Sequence, residues 1–415
     1  MPNPTRHSTT KPWGAFLYRD YRFLWGALIL GSMAVWMRIL GTAQWLLDET
    51  GSAYWVGLIG VVQLIVQIPT TLWAGTLADR WDRKRLMTFS YRVTGITLVA
   101  LGVLNGYELL TPAMVYLGIA VLAGTQMLSG PARSALLPII VPDKDLMLAV
   151  STDTASSNSA AIIGPLLFAV VALSAGLTSV FILAGILALG ASLLPHRIRA
   201  AGSAEQAERA PQLTQTQQTI EGFRYVSKHP ILPGLFLLDA GITTASFYRE
   251  ILPVLALGLF AGGAGVTGFL GTANSVGAIA GAFFALALVG FRAKGMLVLY
   301  ASFAYGFILF GFGMANSLWL GVLMIGLLGA ADAVTVAVRQ TTIMLTTPDE
   351  MRGRAFALMI LAAQTANNVG TIWVGFWAGT IGAGNTMILG GFISIAATAL
   401  IWMLWRPIRE FRSET

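Results

Sequence analysis

Apolar runs of about twenty residues or more recur along the whole chain, separated by short polar segments. Each run is long enough to cross a hydrocarbon core of about 30 Å as a helix. Only helices and closed barrels satisfy the backbone in lipid, and these runs are too long and too uniformly apolar for barrel strands. The pattern therefore predicts an all-α polytopic membrane protein. It places twelve spans at about 23–47, 53–77, 86–105, 112–139, 147–173, 177–195, 231–258, 264–290, 296–315, 318–345, 353–378 and 384–405. The first is too long for a signal h-region and has no small-residue cleavage site behind it, so no cleavable signal peptide is expected.

The longest polar interruption, 196–230, divides the spans into two sets of six. Its middle, 200–212, lacks apolar periodicity and reads as a flexible linker. Its end carries Ile220, Phe223 and Val226, a weak amphipathic pattern suited to a membrane surface. The two sets resemble each other. Arg133 and Pro142-Asp143 recur as Arg339 and Pro348-Asp349, and Gly164 recurs as Gly370, all at one sequence offset. Two like-oriented six-helix bundles, 1–195 and 231–415, joined by a 196–230 linker, are the expected organisation.

Composition supports the membrane reading and charge adds an orientation. Apolar residues make up 56% of 415 positions and charged ones 11%, against about 25% charged in soluble domains. The net charge of +7 does not signal nucleic acid. Every Lys and Arg except Arg38 and Arg249 lies in the tails, in every second loop or in the helix ends beside those loops. The opposite loops carry Asp48, Glu49 and Glu108. This positive-inside pattern puts both termini and the linker in the cytoplasm, with a bacterial plasma membrane as the expected location. The chain has no cysteine, which removes disulfides, thiolate catalysis and Cys-based metal sites. All three histidines fall in cytoplasmic segments, and no HExxH, GxSxG or Walker-type loop is present. No enzyme, catalytic residue, metal or cofactor is expected.

The densest charge cluster, 79–85, packs six charges into seven residues between spans 2 and 3. The stretch Gly75-Thr76-Leu77-Ala78-Asp79-Arg80-Trp81-Asp82-Arg83-Lys84-Arg85 resembles the loop signature between helices 2 and 3 of the major facilitator superfamily of secondary transporters. Four features resemble its enterobactin-exporter-like branch, which includes macrolide efflux proteins. They are Tyr18-Arg19-Asp20-Tyr21-Arg22-Phe23-Leu24-Trp25, Asp82, Ala132-Arg133-Ser134-Ala135-Leu136-Leu137-Pro138 and Glu221-Gly222-Phe223-Arg224-Tyr225-Val226. Gly164-Pro165 in span 5 is similar to the core of the exporters' antiporter motif, although Leu166, Leu167 and Phe168 replace the usual small residues. The second loop signature is degenerate, keeping Gly290, Arg292, Lys294 and Gly295. The resemblance implies twelve helices in two pseudo-symmetric bundles around a central cavity. It also implies a gate, in which Gly75 permits close helix approach and Asp79 pairs with Arg83 or sits at the start of the eleventh helix near Gly353. Arg80, Lys84 and Arg85 fix topology or join that gate.

Candidate chemistry lies at membrane depth. Arg38 and Arg249 sit past the middle of the first span of each half, where a charge costs several kcal/mol unless it faces a cavity or partner. They are candidate contacts for an anionic or hydrogen-bond-accepting substrate; the competing reading is structural pairing, Arg249 with Asp332 or Arg38 with Asp239. Span 7 places Asp239, Thr243, Ser246 and Glu250 on one helical stripe, and span 10 does the same with Asp332, Thr335, Arg339 and Thr342. Span 11 offers Gln364, Asn367, Asn368 and Thr371; span 2 offers Gln63, Gln67 and Thr70. Asp239, Glu250 and Asp332 are the candidate proton carriers, because protonation removes a charge that is costly there. Arg133 and Arg339 are expected in an inner gate, on helix-end carbonyls or on Asp143 and Asp349, or as snorkelling anchors. Asp153 reads equally as an exposed helix-start charge or a site residue. Together these features predict a monomeric, proton-coupled exporter of a small amphipathic or anionic compound, siderophore or drug-like. Uptake or lysolipid flipping by the same fold is the runner-up, and a receptor or scaffold the alternative of another class.

Overall fold

A computed structural model describes residues 14–200, 215–288 and 290–412, and for 71–80 and 215–219 it describes the helical backbone alone. Every regular element among the described residues is a helix. A 3-10 turn at Gly14–Leu17 leads into α1 (Arg19–Thr50), α2 (Ala53–Arg80), α3 (Arg83–Gly106), α4 (Pro112–Ile140) and α5 (Asp143–Leu193). After the linker come α6 (Gln215–Lys228), α7 (Leu232–Ser246), α8 (Leu252–Phe260), α9 (Ala264–Ala287), α10 (Lys294–Gly313), α11 (Leu318–Thr346), α12 (Asp349–Ile381), α13 (Ala383–Leu404) and the short α14 (Arg406–Glu410).

Local chemistry sets the helix ends. Asp82 caps α3 by accepting from the amides of Lys84 (2.9 Å) and Arg85 (3.0 Å). Thr111 and Ser317 cap α4 and α11 in the same way, each satisfying an amide that has no partner within its helix. Gly51 closes α1 in the left-handed conformation, φ 63°, where a side chain would be strained.

Among the described residues ten helices are long and apolar enough to span a bilayer, and eleven if the bent segment holding α7 and α8 is counted. The segment labelled α5 accounts for the remaining span. Its 51 residues would reach about 77 Å as one straight helix at 1.5 Å per residue, more than twice the hydrocarbon thickness, but it is not one straight helix. Its backbone turns at Gly176 (φ 77°, ψ 175°), and its packing shows that the chain reverses there. Tyr18, Tyr21, Trp25 and Trp36 of the entry and α1 meet Asp145, Asp153, Ser156 and Gly164 in rising order. Past the turn, Leu194, Gly190 and Phe181 meet Gly26, Leu30 and Gly41 in falling order. One limb runs parallel to α1 and the other antiparallel, so α5 is two spans joined at a glycine.

Span 7 departs from the continuous helix expected at 231–258. It breaks into α7, an extended Phe247 (φ −70°, ψ 109°), a 3-10 turn at Arg249–Ile251 and α8. Pro253 supplies the reason. In an unbroken helix its ring would meet the carbonyl of Arg249; here it falls in the first turn of a new helix, where its missing N–H costs nothing. A break of this kind survives at membrane depth only where protein or a cavity surrounds it.

The core is shared at one end of the molecule and split at the other. On the side away from the termini a single cluster joins both halves, running from Leu46, Val56 and Phe181 to Leu252, Leu328 and Met387. On the terminal side each half has its own cluster, around Tyr21, Leu86 and Leu136 in the first and Leu235, Leu299 and Val338 in the second. Helices gain little from hydrophobicity against one another in lipid, so close packing of small residues holds them. At the seam Gly57 of α2 lies against Gly375 of α12, where a Cβ on Gly375 would come within 2.4 Å of the Gly57 Cα. Gly268 and Gly271 of α9 lie against Pro165 of α5. The molecule is closed on the far side.

Candidate functional site

The break in span 7 sends two charged neighbours to different places. Arg249 turns into a cavity of about 160 Å³ inside the second bundle, lined also by Asp239, Thr243, Ser246, Tyr305, Asp332, Thr335, Arg339 and Asn367. There it pairs with Asp332 at 3.2 Å, both side chains remaining more than one third exposed. Behind them Arg339 forms a buried ion pair with Asp239, and Thr243 donates to the same Asp239 carboxylate at 3.4 Å. The Nε of Arg339 is buried without an acceptor among the described residues. Tyr305 donates to Ser246 at 3.1 Å. The cavity therefore carries two guanidinium groups, two carboxylates and several hydroxyls within an otherwise apolar bundle.

Glu250 leaves this cavity and sits at the seam. Gln63 of α2 donates to its Oε1 at 2.9 Å, and the Thr371 hydroxyl of α12 lies 3.4 Å from Oε2. Arg38, in the first bundle, is buried, 4% exposed, and donates to Gln126 at 3.0 Å beside a void of about 30 Å³, room for one water. Two further hydrogen bonds cross the seam, Asn368 to Gln67 at 2.7 Å and Thr267 to Gln44 at 2.9 Å.

On the terminal side of the first bundle Arg133 pairs with Asp153 at 2.5 Å, and Tyr21 donates to the other oxygen of that carboxylate at 2.9 Å. Arg83 reaches the Ala135 carbonyl at 3.4 Å. Lys84 holds the carbonyls of Ile198 and Ala200 at 3.3 and 2.8 Å, tying the start of α3 to the chain leaving the first bundle.

Comparison with known proteins decides the family. Residues 10–414 match the family described as transmembrane secretion effector, a branch of the major facilitator superfamily. The chain belongs to that superfamily. This major facilitator protein is 26% identical over 370 residues to the enterobactin exporter EntS of Citrobacter koseri, covering 88% of the chain and 83% of the relative. It is also 26% identical over 409 residues to EntS of Shigella boydii serotype 4, covering 96% and 92%. Its fold is that of the nucleoside transporter NupG (TM-score 0.72, 14% identity, covering 93% of this chain and 100% of that one). The D-xylose-proton symporter shares it (TM-score 0.70, 13% identity, 95% and 99% covered). Membership makes the protein a multi-pass membrane transporter and not an enzyme.

Several expected groupings of this transporter change. Glu250 does not share a stripe with Asp239, Thr243 and Ser246, because the break at Phe247 takes it out of helical register. Arg133 and Arg339 bind Asp153 and Asp239, not Asp143 and Asp349; carboxylates inside the bundle satisfy them better than helix-start charges in water. Asp153 is 7% exposed, which rules out a solvated helix-start charge. Of the two structural pairings weighed for the buried arginines, Arg249 with Asp332 is present, while Arg38 takes Gln126 and not Asp239. Gln63, Gln67 and Asn368 belong to the seam; of the polar candidates on α2 and α12, Asn367 lines the cavity. Gly164 packs on Trp36 of α1 and Pro165 on α9. The side chains of Gly75, Asp79 and Arg80 lie outside the described residues, as does the linker segment 201–214.

Proposed function

We propose that the protein is a proton-coupled exporter of a small amphipathic or anionic compound, with the cavity of the second bundle as the substrate site and Glu250 as the proton carrier. The position of Glu250 carries this reading. Asp239 is committed to Arg339 and Asp332 to Arg249, whereas Glu250 is held by neutral donors from both bundles. Its ionised form favours the closed far side, because Gln63 and Thr371 donate to a carboxylate more strongly than to an acid. Protonation from the far side weakens that tie, and release of the proton to the terminal side restores it. Proton release is thereby linked to the conformation that takes up substrate, which is the coupling an antiporter requires. An acidic or hydrogen-bond-accepting group on the substrate would meet Arg249 and the Nε of Arg339. The names of the relatives add a siderophore as one substrate class.

The test uses proteoliposomes with an imposed pH gradient. Glu250→Gln should leave substrate exchange intact and abolish gradient-driven accumulation. Arg249→Gln should raise the apparent KM for acidic substrates more than for neutral ones. Accumulation retained in Glu250→Gln would reject the proton assignment, and unchanged substrate preference in Arg249→Gln would reject the cavity assignment. Dependence on ATP would overturn secondary transport.

A further inference from the structure

The segment of α6 from Ile220 to Lys228 meets the Leu232–Phe260 span at 100°. A helix perpendicular to a membrane span runs along the membrane surface. Its inner face is packed: Val226 is buried, Gly222 lies against Leu358 and Arg354 of α12, and Glu221 pairs with Arg354 at 2.5 Å. The outer face is two-sided. Ile220 and Phe223 are 54% and 67% exposed, and Arg224 and Lys228, one turn apart, are exposed beside them.

An open cavity of about 540 Å³ lies along this basic flank, bounded by Arg224, Tyr225, Lys228, His229 and, on α12, Met351. Its acidic neighbour Glu221 is already neutralised by Arg354. His229 adds no charge to it: Nδ1 accepts from the amides of Ile231 and Leu232 at 3.2 Å, and Nε2 faces the Thr346 carbonyl at 3.3 Å. That is the neutral ring with its hydrogen on Nε2. The net positive charge of the cavity comes from Arg224 and Lys228.

We propose that α6 is a membrane-surface helix that binds an anionic phospholipid, with the phosphodiester headgroup on Arg224 and Lys228 and the acyl chains against Ile220 and Phe223. Apolar residues beside basic ones on one exposed face are the arrangement that inserts shallowly into a charged leaflet. Two basic residues at the surface strengthen the attraction to an anionic leaflet roughly thirtyfold. The bound lipid would also brace the start of α12, which crosses the seam further along through Asn368 and Gly375.

The cysteine-free chain permits a direct test. A fluorophore on Phe223→Cys, and separately on Ser227→Cys so that Phe223 is retained, is read in vesicles of phosphatidylcholine with or without phosphatidylglycerol, either lipid carrying brominated tails. Brominated phosphatidylglycerol should quench both probes severalfold more than brominated phosphatidylcholine. The preference should vanish in Arg224→Gln/Lys228→Gln and survive added glycerol phosphate. Quenching by aqueous iodide without quenching by either lipid would show a helix facing water and overturn the proposal. Equal quenching by both lipids would remove the headgroup site, and loss of the preference on adding glycerol phosphate would make it a site for soluble anions.

Discussion

The two ion pairs of the second bundle differ in what surrounds them, and that difference separates structure from binding. Asp239 and Arg339 have side-chain exposures of 15% and 9%, so deleting one charge leaves the other buried and uncompensated, at a cost of about 3–5 kcal/mol. Asp332 and Arg249 are exposed at 40% and 38%, where water and a cavity ligand can replace either partner and a pair contributes about 1 kcal/mol or less. Asp239→Asn should therefore lower the melting temperature in detergent clearly, and Asp332→Asn should change it little while altering substrate affinity. Equal melting temperatures for the two variants would mean that the buried pair holds nothing together. The arginine and carboxylate identities were legible in the sequence, because charges at membrane depth stand out against an apolar background. Their pairings were not, since a partner is chosen by which helices meet.

At the scale of elements, the elbow between α6 and α7 rests on His229. Its ring caps α7 and faces the last turn of α11, with Nδ1 accepting two amides. Burial pushes the His229 pKa down from 6.5, only partly offset by the Thr346 carbonyl. A histidine with a lowered folded-state pKa contributes stability that is fully present above its unfolded value and lost as pH falls through the folded one. Between pH 7.5 and 5 the wild type should lose more thermal stability than His229→Asn, which caps without titrating. Parallel pH profiles would remove the histidine from the elbow. Span 7 shows how an element was misjudged: its apolar periodicity is continuous, but Pro253 sits where a helix must restart. Proline was the available signal for the break. Nothing local in the sequence reveals that Arg249 and Glu250 then face different sites.

For the whole molecule, conformation depends on a seam of small residues. A Cβ on Gly60 would come within 2.3 Å of the Asn368 carbonyl and 3.0 Å of Thr371, contacts made across the bundles and absent once they part. Gly60→Ala should therefore shift the population toward the far-side-open state, and a few kcal/mol is enough to invert such an equilibrium. With a reporter cysteine at Asn367, labelling by a membrane-impermeant reagent should rise from the side opposite the termini in Gly60→Ala relative to the parent. Unchanged labelling would show that the seam yields without opening.

The sequence by itself determined that this is a helical membrane protein, where its spans lie, that its halves repeat and to which superfamily it belongs. Those properties follow from local hydrophobicity and short motifs, which do not depend on what packs against them. The tertiary structure alone decided that span 7 breaks at Phe247, that Arg133 chooses Asp153 and Arg339 chooses Asp239, and that Glu250 joins the seam while Arg249 enters the cavity. Buried charges and glycines acquire their roles from the neighbour that desolvates or touches them, and that neighbour is usually distant in sequence.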